Sequence, residues 1–412
     1  MSDGKLAING GTPVRTRPFP DEKKVGAEEL KELVDVIESG NMNRWGGTKV
    51  VKFEEEFGAL HGVKHAIATT SGTASLHIGV GMVNPSPGDE IITGPITDIG
   101  SIVPILYQGA IPVFAEADPE TFNSDPADIE AKITDRTKAI MAIHLFGNPC
   151  DMDPIMEIAR AHDLIVIEDC SQAHFSEYKG RLVGTVGDIG CFSLQQSKHI
   201  TCGDGGITIT NNDDLGLRGK LFMDKGWHRE IYGPRKYEVF GPNYRMNDLS
   251  GAVALAQTRK LAQFTQPRRA RGDQVTALLE GNPWVHPQKL IDGCKHTYWQ
   301  YGMIVEEGAP FTADEFAAAL KAEGISCGAH YIGKPIFLCH DAIRNQRLFG
   351  DSHYPFDLPG ANPVVYDDTT CPRTQDVIDR LVMPTRPTQF WTEQDSADVA
   401  QAIRKVSENL NQ

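Results

Sequence analysis

Three short segments of the sequence place residues that could do chemistry beside apolar runs. Asp169 follows the apolar run 164–167. Lys198 is a lone lysine among neutral polar residues, between an apolar strand and the glycine-rich turn 203–206. The segment 71–75 (Ser-Gly-Thr-Ala-Ser) lies where a first strand gives way to a helix. An acid, an amine and a loop of small residues could together hold and use a phosphorylated aldehyde cofactor.

Asp169 could be a catalytic acid, since the carboxyl end of a strand is a common position for one. A carboxylate in that position could keep the ring nitrogen of pyridoxal phosphate protonated, so that the ring accepts electrons. The structural alternative is an N-cap, in which the acid accepts hydrogen bonds from the first N–H groups of the next helix. For Asp169 taken alone, both interpretations stay open.

Lys198 could form a Schiff base with the aldehyde of pyridoxal phosphate. The amine must lose its proton to do so, and partial burial helps because it disfavours the charged ammonium. The alternative is an ordinary surface lysine. The position between a strand and a glycine-rich turn favours the Schiff base.

The loop 71–75 could bind a phosphate. Small residues let backbone N–H groups and hydroxyls approach an anion at the positive end of a helix. The same residues are also ordinary turn and N-cap chemistry, so the loop alone is a weak signal.

The pattern of apolar runs predicts an α/β fold. Runs that predict strands occupy 65–68, 90–93, 111–115, 139–144, 164–167 and 207–210, with helix-like segments between them. Several of these runs are apolar throughout, which is typical of a mostly parallel sheet covered by helices on both faces. Ligands of such sheets usually bind beyond the carboxyl ends of the strands.

The chain divides into three predicted parts: an N-terminal arm (1–25), a large α/β domain (26–266) and a small C-terminal α+β domain (267–412). Further expected elements are a helix at 27–39, a long helical run from Met246 through Leu261, a strand at 298–305, and helices at 313–322 and 396–410. Pro267, followed by several arginines, is expected to mark the joint between the two domains.

Composition excludes several classes of function. The 412 residues carry 40 Lys and Arg against 55 Asp and Glu, a net charge of −15. Phosphate backbones and anionic bilayers attract clustered Lys and Arg, so neither nucleic acid nor a membrane is expected as a partner. The N-terminus lacks a signal-peptide pattern and no apolar run approaches the roughly 20 residues of a membrane span, which predicts a cytoplasmic protein. The 8 cysteines form no Cys-x-x-Cys pair, so no metal site is predicted.

Together these segments resemble the DegT/StrS family of pyridoxal-phosphate-dependent sugar aminotransferases. The landmarks are Ser71-Gly72-Thr73-Ala74, Glu168-Asp169 with Gln172, Phe192-Ser193 before Lys198, the turn 203–206, the segment 242–246 (Pro-Asn-Tyr-Arg-Met), and Gly324-Ile325 before His330-Tyr331. The resemblance covers nearly the whole chain. It implies the type I (aspartate aminotransferase) fold of PLP-dependent transferases, with a large domain built on a mostly parallel sheet and a smaller C-terminal α+β domain.

The resemblance also implies roles for individual residues. Lys198 would carry the cofactor as a Schiff base, and Asp169 would partner its ring nitrogen. The other implied cofactor contacts are Gln172 at the ring hydroxyl, Gly72, Thr73 and Ser193 at the phosphate, and Asn243 at the phosphate of a neighbouring subunit's cofactor. The last role implies a homodimer with shared active sites.

Substrate contacts are less specific. His330 and Tyr331 match the family's small-domain segment that approaches the substrate, although a His-Tyr pair can equally be packing. Arg245 could bind a substrate carboxylate or phosphate, or form a structural salt bridge. Asp98 stands where many family members place an aromatic ring against the cofactor. It would lie near the ring, or would instead cap the following helix.

The implied reaction is transfer of an amino group from L-glutamate or L-glutamine to a cyclic ketone. The opening 6–15 and the tetrad Gln195-Gln196-Ser197-Lys198 are similar to the branch acting on keto-inositols such as scyllo-inosose. A nucleotide-linked ketosugar is the main alternative acceptor. Family dehydratases replace the lysine with histidine, which here would require His199 to take the place of Lys198. A non-enzymatic regulator would need an added recognition module, for which the chain has no room.

Overall fold

The computed structural model describes residues 5–229 and 234–411. Its strands are β1 (His65–Thr69), β2 (Glu90–Thr93), β3 (Ile111–Phe114), β4 (Thr137–Ile143), β5 (Ile165–Asp169), β6 (Glu177–Tyr178), β7 (Arg181–Leu182), β8 (Ile189–Ser193), β9 (Gly206–Thr210), β10 (Val285–Pro287), β11 (Met303–Val305), β12 (Cys327–Ala329) and β13 (Leu381–Pro384). Its α-helices are α1 (Ala27–Ser39), α2 (Lys49–His61), α3 (Gly72–Val83), α4 (Val103–Tyr107), α5 (Pro126–Ala131), α6 (Met152–Ala161), α7 (Asp213–Met223), α8 (Asp248–Arg259), α9 (Leu261–Leu278), α10 (Ala313–Ala322), α11 (Asp341–Arg344), α12 (Pro372–Arg380) and α13 (Glu393–Asn409). Short 3₁₀ helices span Ala7–Asn9, Ile99–Ser101, Leu145–Gly147 and Ile336–Leu338.

A seven-stranded sheet in the order β1-β9-β8-β5-β4-β2-β3 forms the centre of the larger unit. Strands β3, β2, β4, β5 and β8 pair in parallel, and only β9 runs against its neighbours β8 and β1. The prediction of a mostly parallel sheet is therefore confirmed. Each of the six runs predicted as strands before residue 211 forms a strand of this sheet, with ends that agree or differ by at most two residues.

Helices cover both faces of this sheet because its strands are apolar on both sides. On β4, Ile140 and Ala142 face a core built with α2, α6 and α8. The alternate residues Ala139, Met141 and Ile143 face a second core built with α3, α4 and α7. The unbroken apolar runs seen in the sequence follow from this double burial.

Several segments that lead into or out of the strands meet at one edge of the sheet. Asp169 ends β5 and Ser193 ends β8, while the chain leaving β1 enters α3 at Gly72. Because β9 is antiparallel, it begins at this same edge, where Gly206 pairs with Thr69 and Ser193. The loop from β8 to β9 contains Lys198, so the three predicted chemical segments meet.

The C-terminal unit is a four-stranded antiparallel sheet in the order β10-β11-β13-β12. Its core combines Phe316 and Leu320 from α10 with Val399 and Ile403 from α13. Thr312 caps the start of helix α10: its hydroxyl accepts a hydrogen bond from the Glu315 N–H (3.2 Å), and the Glu315 carboxylate accepts from the Thr312 N–H. Among the described residues, no helix has both the length and the apolar character needed to cross a membrane.

Pro267 does not interrupt the backbone, since α9 runs through that residue without a break. A proline inside a helix removes one backbone hydrogen bond, which packing can offset. Here the next residue, Arg268, is 1% exposed. It donates hydrogen bonds to Gln389 (3.1 Å) and to Glu22 of the N-terminal segment.

The long helical run predicted from Met246 through Leu261 does break, but at Lys260, between α8 and α9. The division at 266/267 itself stays a prediction.

The strand expected at 298–305 is confirmed only over its last three residues, β11. Tyr298 has a φ of 50°, in the left-handed region, so the chain turns there and cannot pair as a strand. Its ring stacks on His296 at 4.0 Å, and its hydroxyl donates to Asp273 at 2.7 Å. The turn places the next residue, Trp299, against the loop that carries Lys198.

Candidate active site

A cavity of about 380 Å³ opens at the edge of the sheet where the segments after β1, β5 and β8 meet. Most of the site residues expected from the sequence line it: Gly72, Thr73, Asp98, Asp169, Gln172, Ser193, Lys198 and Tyr331. They come from both units, because Tyr331 follows β12 of the C-terminal sheet. The cavity therefore depends on how the two units pack.

One end of the cavity is built to hold an anion. Helix α3 begins there, and its first residues, Gly72 and Thr73, lie where backbone N–H groups have no acceptor within the helix. Ser71 caps the helix, its Oγ accepting from the Ala74 N–H at 3.0 Å. A Cβ at position 72 would lie 2.6 Å from the Ser193 Cβ, so only glycine allows this close approach. Ser193 adds its hydroxyl to the same end.

Asp169 is a buried acid held in a fixed orientation. Ser101 Oγ donates to its Oδ2 at 2.8 Å, and the Ser171 N–H donates to its Oδ1 at 3.0 Å. Thr97 Oγ1 in turn lies 2.7 Å from Ser101 Oγ. Among the described residues Asp169 has no ion-pair partner. Its oxygens bond to hydroxyl and amide donors instead, so its negative charge is free to act on a bound cation.

Lys198 is the amine of the cavity. Burial lowers its pKa to about 8, although the carboxylates of Asp169 and Asp98 favour the charged form. Trp299 places its ring centroid 4.1 Å from the Lys198 Nζ. No acid lies within ion-pair distance of Nζ among the described residues. The neutral fraction that this pKa allows at neutral pH is what a nucleophilic or proton-carrying amine needs.

The N-terminal segment braces the backbone of the Lys198 loop. Lys24 Nζ donates hydrogen bonds to the carbonyl oxygens of Gln196 (3.3 Å) and Lys198. Glu22 pairs with Arg386 (3.0 Å) and also with Arg268. The predicted arm therefore contacts the backbone of the loop that carries the reactive amine.

Gln172 and Tyr331 form one wall of the cavity. Gln172 Oε1 accepts from the Phe146 N–H at 2.8 Å, and its Nε2 lies 3.4 Å from the Tyr331 hydroxyl. The Tyr331 ring packs edge-on against Phe146 at 5.0 Å. His330 and Tyr331 have φ angles of 65° and 45°, a left-handed turn that directs the tyrosine into the cavity. Burial raises the pKa of Tyr331 to about 12, so it stays a neutral hydroxyl.

Asp98 combines the two alternatives left open by the sequence. Its Oδ1 accepts from the Gly100 N–H at 2.8 Å and so caps the 3₁₀ helix Ile99–Ser101. The same side chain is exposed and lines the cavity. Capping and a position near the cofactor site are therefore compatible.

Asn243, Arg245 and His330 do not line this cavity. Arg245 forms an ion pair with Asp224, the structural alternative considered for it. His330 pairs with Asp314 at 3.1 Å, away from the cavity. Asn243 is exposed and shares a separate surface with Arg245. These three residues therefore lie outside this chain's own cavity, and their roles stay predictions.

Sequence reasoning missed Trp299, Ser101 and the brace from Lys24. The sequence could have indicated Ser101 as a site residue, because it carries a hydroxyl in the same turn as Asp98. Trp299 had none, because it lies in a run interpreted as a strand. Its Nε1 donates to the Ser197 carbonyl at 3.0 Å, which fixes the ring beside Lys198.

A fully buried group behind the cavity, His144 with Glu168 and Cys170, has the residue types of a metal site. The polar atoms of His144 and Glu168 already have partners, however. His144 Nε2 bonds to Glu168 Oε2 at 3.0 Å, and its Nδ1 accepts from the Cys150 N–H at 3.0 Å. Glu168 Oε1 accepts from the N–H groups of Val186 and Gly187. The group therefore acts as a hydrogen-bond network that fixes the end of β5.

The low pKa of Lys198 predicts unusual reactivity in the cofactor-free chain. Acylation of Lys198 by an amine-specific reagent should rise with pH and level off above about 8, because only the neutral amine reacts. At pH 7 such an amine is neutral in roughly one molecule in ten, against roughly one in three thousand for an ordinary lysine. Mass spectrometry of the Lys198 peptide between pH 6 and 10 measures this. If the acylation of Lys198 were half-maximal only above pH 10, this would contradict the partly buried environment assigned to its amine.

Substitutions of Trp299 separate the effect of its ring from the effect of its hydrogen bond. Trp299→Leu removes a ring that stabilises the ammonium form of Lys198. The pH at which Lys198 acylation is half-maximal should therefore fall by about 0.5 to 1. Trp299→Phe keeps a ring but loses the bond to Ser197, and should shift that pH less. Equal shifts in both variants would show that the ring does not act on the charge of Lys198.

Comparisons with known proteins agree with this geometry. Residues 23–356 match the model of the DegT/DnrJ/EryC1/StrS aminotransferase family. GDP-perosamine synthase of Caulobacter vibrioides is 40% identical over 71% of this chain and 76% of its own length. L-glutamine:2-deoxy-scyllo-inosose aminotransferase of Streptoalloteichus tenebrarius is 32% identical over 97% of each chain.

Solved structures show the same fold. The aminotransferase of Psychrobacter cryohalolentis superposes with a TM-score of 0.83 at 28% identity, covering 96% of this chain and 100% of the other. The α/β architecture with a mixed, mostly parallel sheet is that of the type I PLP-dependent transferases, as expected from the sequence.

Proposed function

The chain belongs to the DegT/DnrJ/EryC1/StrS aminotransferase family, and from this we propose that it moves an amino group from L-glutamate or L-glutamine to a cyclic ketone, with pyridoxal phosphate as cofactor. A keto-inositol of the scyllo-inosose type is the proposed acceptor. One observation carries the proposal: a buried acid and a partly buried amine, neither in an ion pair within the described residues, line one cavity beside an open helix N-terminus.

The residues of the cavity fit pyridoxal phosphate. The N-terminus of α3, with Gly72, Thr73 and the Ser193 hydroxyl, suits the phosphate. The free carboxylate of Asp169 suits a protonated ring nitrogen. Gln172 suits the ring hydroxyl. When bound, the cofactor supplies an aldehyde for the amino group and a ring that accepts electrons.

Lys198 is the proposed proton carrier. Its Nζ accepts the proton that leaves the α-carbon of the donor, and in the second stage returns a proton to the acceptor carbon. A pKa near 8 suits both directions, because neutral and charged forms are both populated near neutral pH. Asp169 holds its charge fixed through Ser101 and the Ser171 N–H. The brace from Lys24 keeps the loop backbone in place.

A family dehydratase is disfavoured by the direction of His199. That ring is buried, and its Nε2 lies 3.0 Å from the Thr297 carbonyl oxygen rather than in the cavity. Lys198 lines the cavity instead. A shift of one residue that would put a histidine in the place of the lysine is therefore not supported.

The proposal is tested by two half-reactions. Mixing the cofactor-loaded protein with L-glutamate or L-glutamine should convert the visible absorbance of the bound cofactor to that of its amino form. Adding scyllo-inosose should restore the first spectrum, and a nucleotide-linked ketosugar should restore it at least about tenfold more slowly. Restoration by the nucleotide-linked sugar alone would favour the alternative acceptor. No change with either donor would overturn the function.

We also propose a homodimer in which each subunit completes the other's site. Asn243 and Arg245 lie outside their own cavity and line a separate surface with Met42 and the buried Arg44. No arginine lines the cavity among the residues that the structure describes, although a phosphate dianion commonly binds one. A second copy could supply polar and basic groups from this surface.

Mixing inactive variants tests the shared site. Lys198→Ala and Asn243→Asp chains are each expected to be inactive, but dimers containing one of each keep one intact site. Half of the random dimers are of this kind, so roughly a quarter of the wild-type activity should return. Lys198→Ala mixed with Asp169→Asn should not recover, because both residues belong to one chain's cavity. Equal recovery in the two mixtures would contradict the assignment of Asn243.

A further inference from the structure

The loop that carries Lys198 is held by side chains from distant parts of the chain. Residues 194–205 form neither a helix nor a strand, so their carbonyl groups need donors from elsewhere. Three successive carbonyl oxygens, those of residues 196–198, accept hydrogen bonds from distant side chains. The middle oxygen accepts from Trp299 Nε1 at 3.0 Å, and the outer two both accept from Lys24 Nζ. The backbone next to the reactive amine therefore depends on Lys24.

Lys24 is suited to this role because an ammonium group has three N–H donors. Its Nζ lies 3.3 Å from the Gln196 carbonyl oxygen and 3.5 Å from Glu22 Oε1, and it also donates to the Lys198 carbonyl oxygen. The three donors thus meet three acceptors. Burial lowers the pKa of Lys24 to about 8, and the Glu22 carboxylate opposes this shift. The charged form therefore predominates at neutral pH.

The backbone of Lys24 is fixed as well as its ammonium. Its carbonyl oxygen accepts from Gln257 Nε2 at 2.8 Å and from Lys260 Nζ at 3.1 Å, at the end of α8. On the other side, Glu22 pairs at 3.0 Å with Arg386, which follows β13 of the C-terminal unit. Lys24 does not line the cavity. Any effect of Lys24 on the reaction must therefore pass through the loop.

We propose that Lys24 is a positioning residue for Lys198: by binding two carbonyl groups of the loop, it keeps the Lys198 amine partly buried beside Trp299 and directed into the cavity. This inference rests on the proposed function, because it assigns a second residue to the reaction of Lys198. A reacting group that moves by about 1 Å can lose about 10²-fold in rate. A lysine that only stabilised the fold would leave the chemistry of the Lys198 amine unchanged, and this difference can be measured.

Acylation of Lys198 in the cofactor-free chain tests the proposal without turnover. Lys24→Met removes the charge and all three donors but leaves a long side chain, so the loop should loosen and expose the Lys198 amine. The pH at which Lys198 acylation is half-maximal should then rise from about 8 by at least about 1, towards that of an ordinary lysine. In the cofactor-loaded variant, kcat should fall about 10- to 100-fold, while the KM of the amino donor changes less than about threefold.

Two further variants serve as controls. Lys24→Arg keeps the charge and several N–H donors, and should hold the pH of half-maximal acylation within about 0.5 of the wild-type value. Lys23→Met removes the charge of the exposed neighbouring lysine and should behave as wild type. Circular dichroism establishes that each variant is folded. If Lys24→Met does not fold, Lys24→Gln replaces it, since this polar side chain is too short to bind both carbonyl groups and should give the same shift.

The proposal is overturned if the Lys24 variant keeps the wild-type pH of half-maximal acylation, or if Lys24→Arg or Lys23→Met shifts that pH as much as Lys24→Met does. The half-reaction with L-glutamate or L-glutamine is measured separately on the wild-type protein loaded with pyridoxal phosphate. Its failure would remove the proposed function, whereas acylation of the cofactor-free chain would still decide whether Lys24 positions the Lys198 amine.

Discussion

Replacing Lys198 with alanine will lower amino transfer by about 10³- to 10⁴-fold and remove the Schiff-base absorbance of the bound cofactor. The variant loses both the nucleophile and the proton carrier, and no other amine lines the cavity among the described residues. Lys24 cannot replace it, because its Nζ is engaged by the carbonyl oxygens of Gln196 and Lys198. The measurement is release of the keto acid from L-glutamate or L-glutamine, together with the absorbance spectrum.

Lys198→Arg is the control that separates charge from chemistry. Arginine keeps the positive charge but does not lose its proton in proteins, so this variant should be as inactive as the alanine variant. A small primary amine added to Lys198→Ala should restore part of the activity by entering the space left by the side chain. Full activity in either variant would show that Lys198 is not the reacting group.

The meeting of the main cavity residues at one edge of the sheet could be predicted because they follow strands directly. In a parallel sheet the carboxyl ends of strands meet at one edge, so Asp169, Ser193 and the start of α3 must come close whatever the rest of the chain does. Lys198 follows from the same rule, because its loop connects β8 to the antiparallel β9. Short-range sequence patterns were sufficient for these residues.

Residues positioned by contacts between the two units could not be predicted in this way. Trp299 lies in a run of aromatic and apolar residues that is typical of a strand. The turn at Tyr298 is held by the ring of His296, two residues earlier, and by the distant Asp273, which the local pattern does not indicate. At Pro267 a residue that usually breaks a helix is tolerated inside α9, where Arg268 is buried against the N-terminal segment.

The prediction for Arg245 shows what residue type alone can and cannot indicate. Its guanidinium suits a carboxylate of either a substrate or the protein. In the structure it meets Asp224, which also pairs with Arg229. The residue type predicts that Arg245 pairs with an acid, but only the fold determines which acid that is.

Asp169→Asn is expected to lower the donor half-reaction by about 10²- to 10³-fold while the cofactor stays bound. Asparagine keeps the size of the side chain and the oxygen that accepts from the Ser171 N–H. It loses the negative charge that would hold a proton on the ring nitrogen, so the ring accepts electrons less readily. Stopped-flow absorbance with L-glutamate measures the rate. A variant within about threefold of wild type would contradict the role of the charge.

Ser101→Ala distinguishes the charge of Asp169 from its orientation. That variant removes one hydrogen bond to Oδ2 but leaves the carboxylate in place, so the rate should fall only about three- to tenfold. A cofactor methylated on its ring nitrogen carries a permanent positive charge and needs no acid to hold a proton. It should restore activity to Asp169→Asn but not to Lys198→Ala. This pattern would show that Asp169 acts on the ring nitrogen and that Lys198 transfers the proton. Rescue of both variants, or of neither, would contradict these roles.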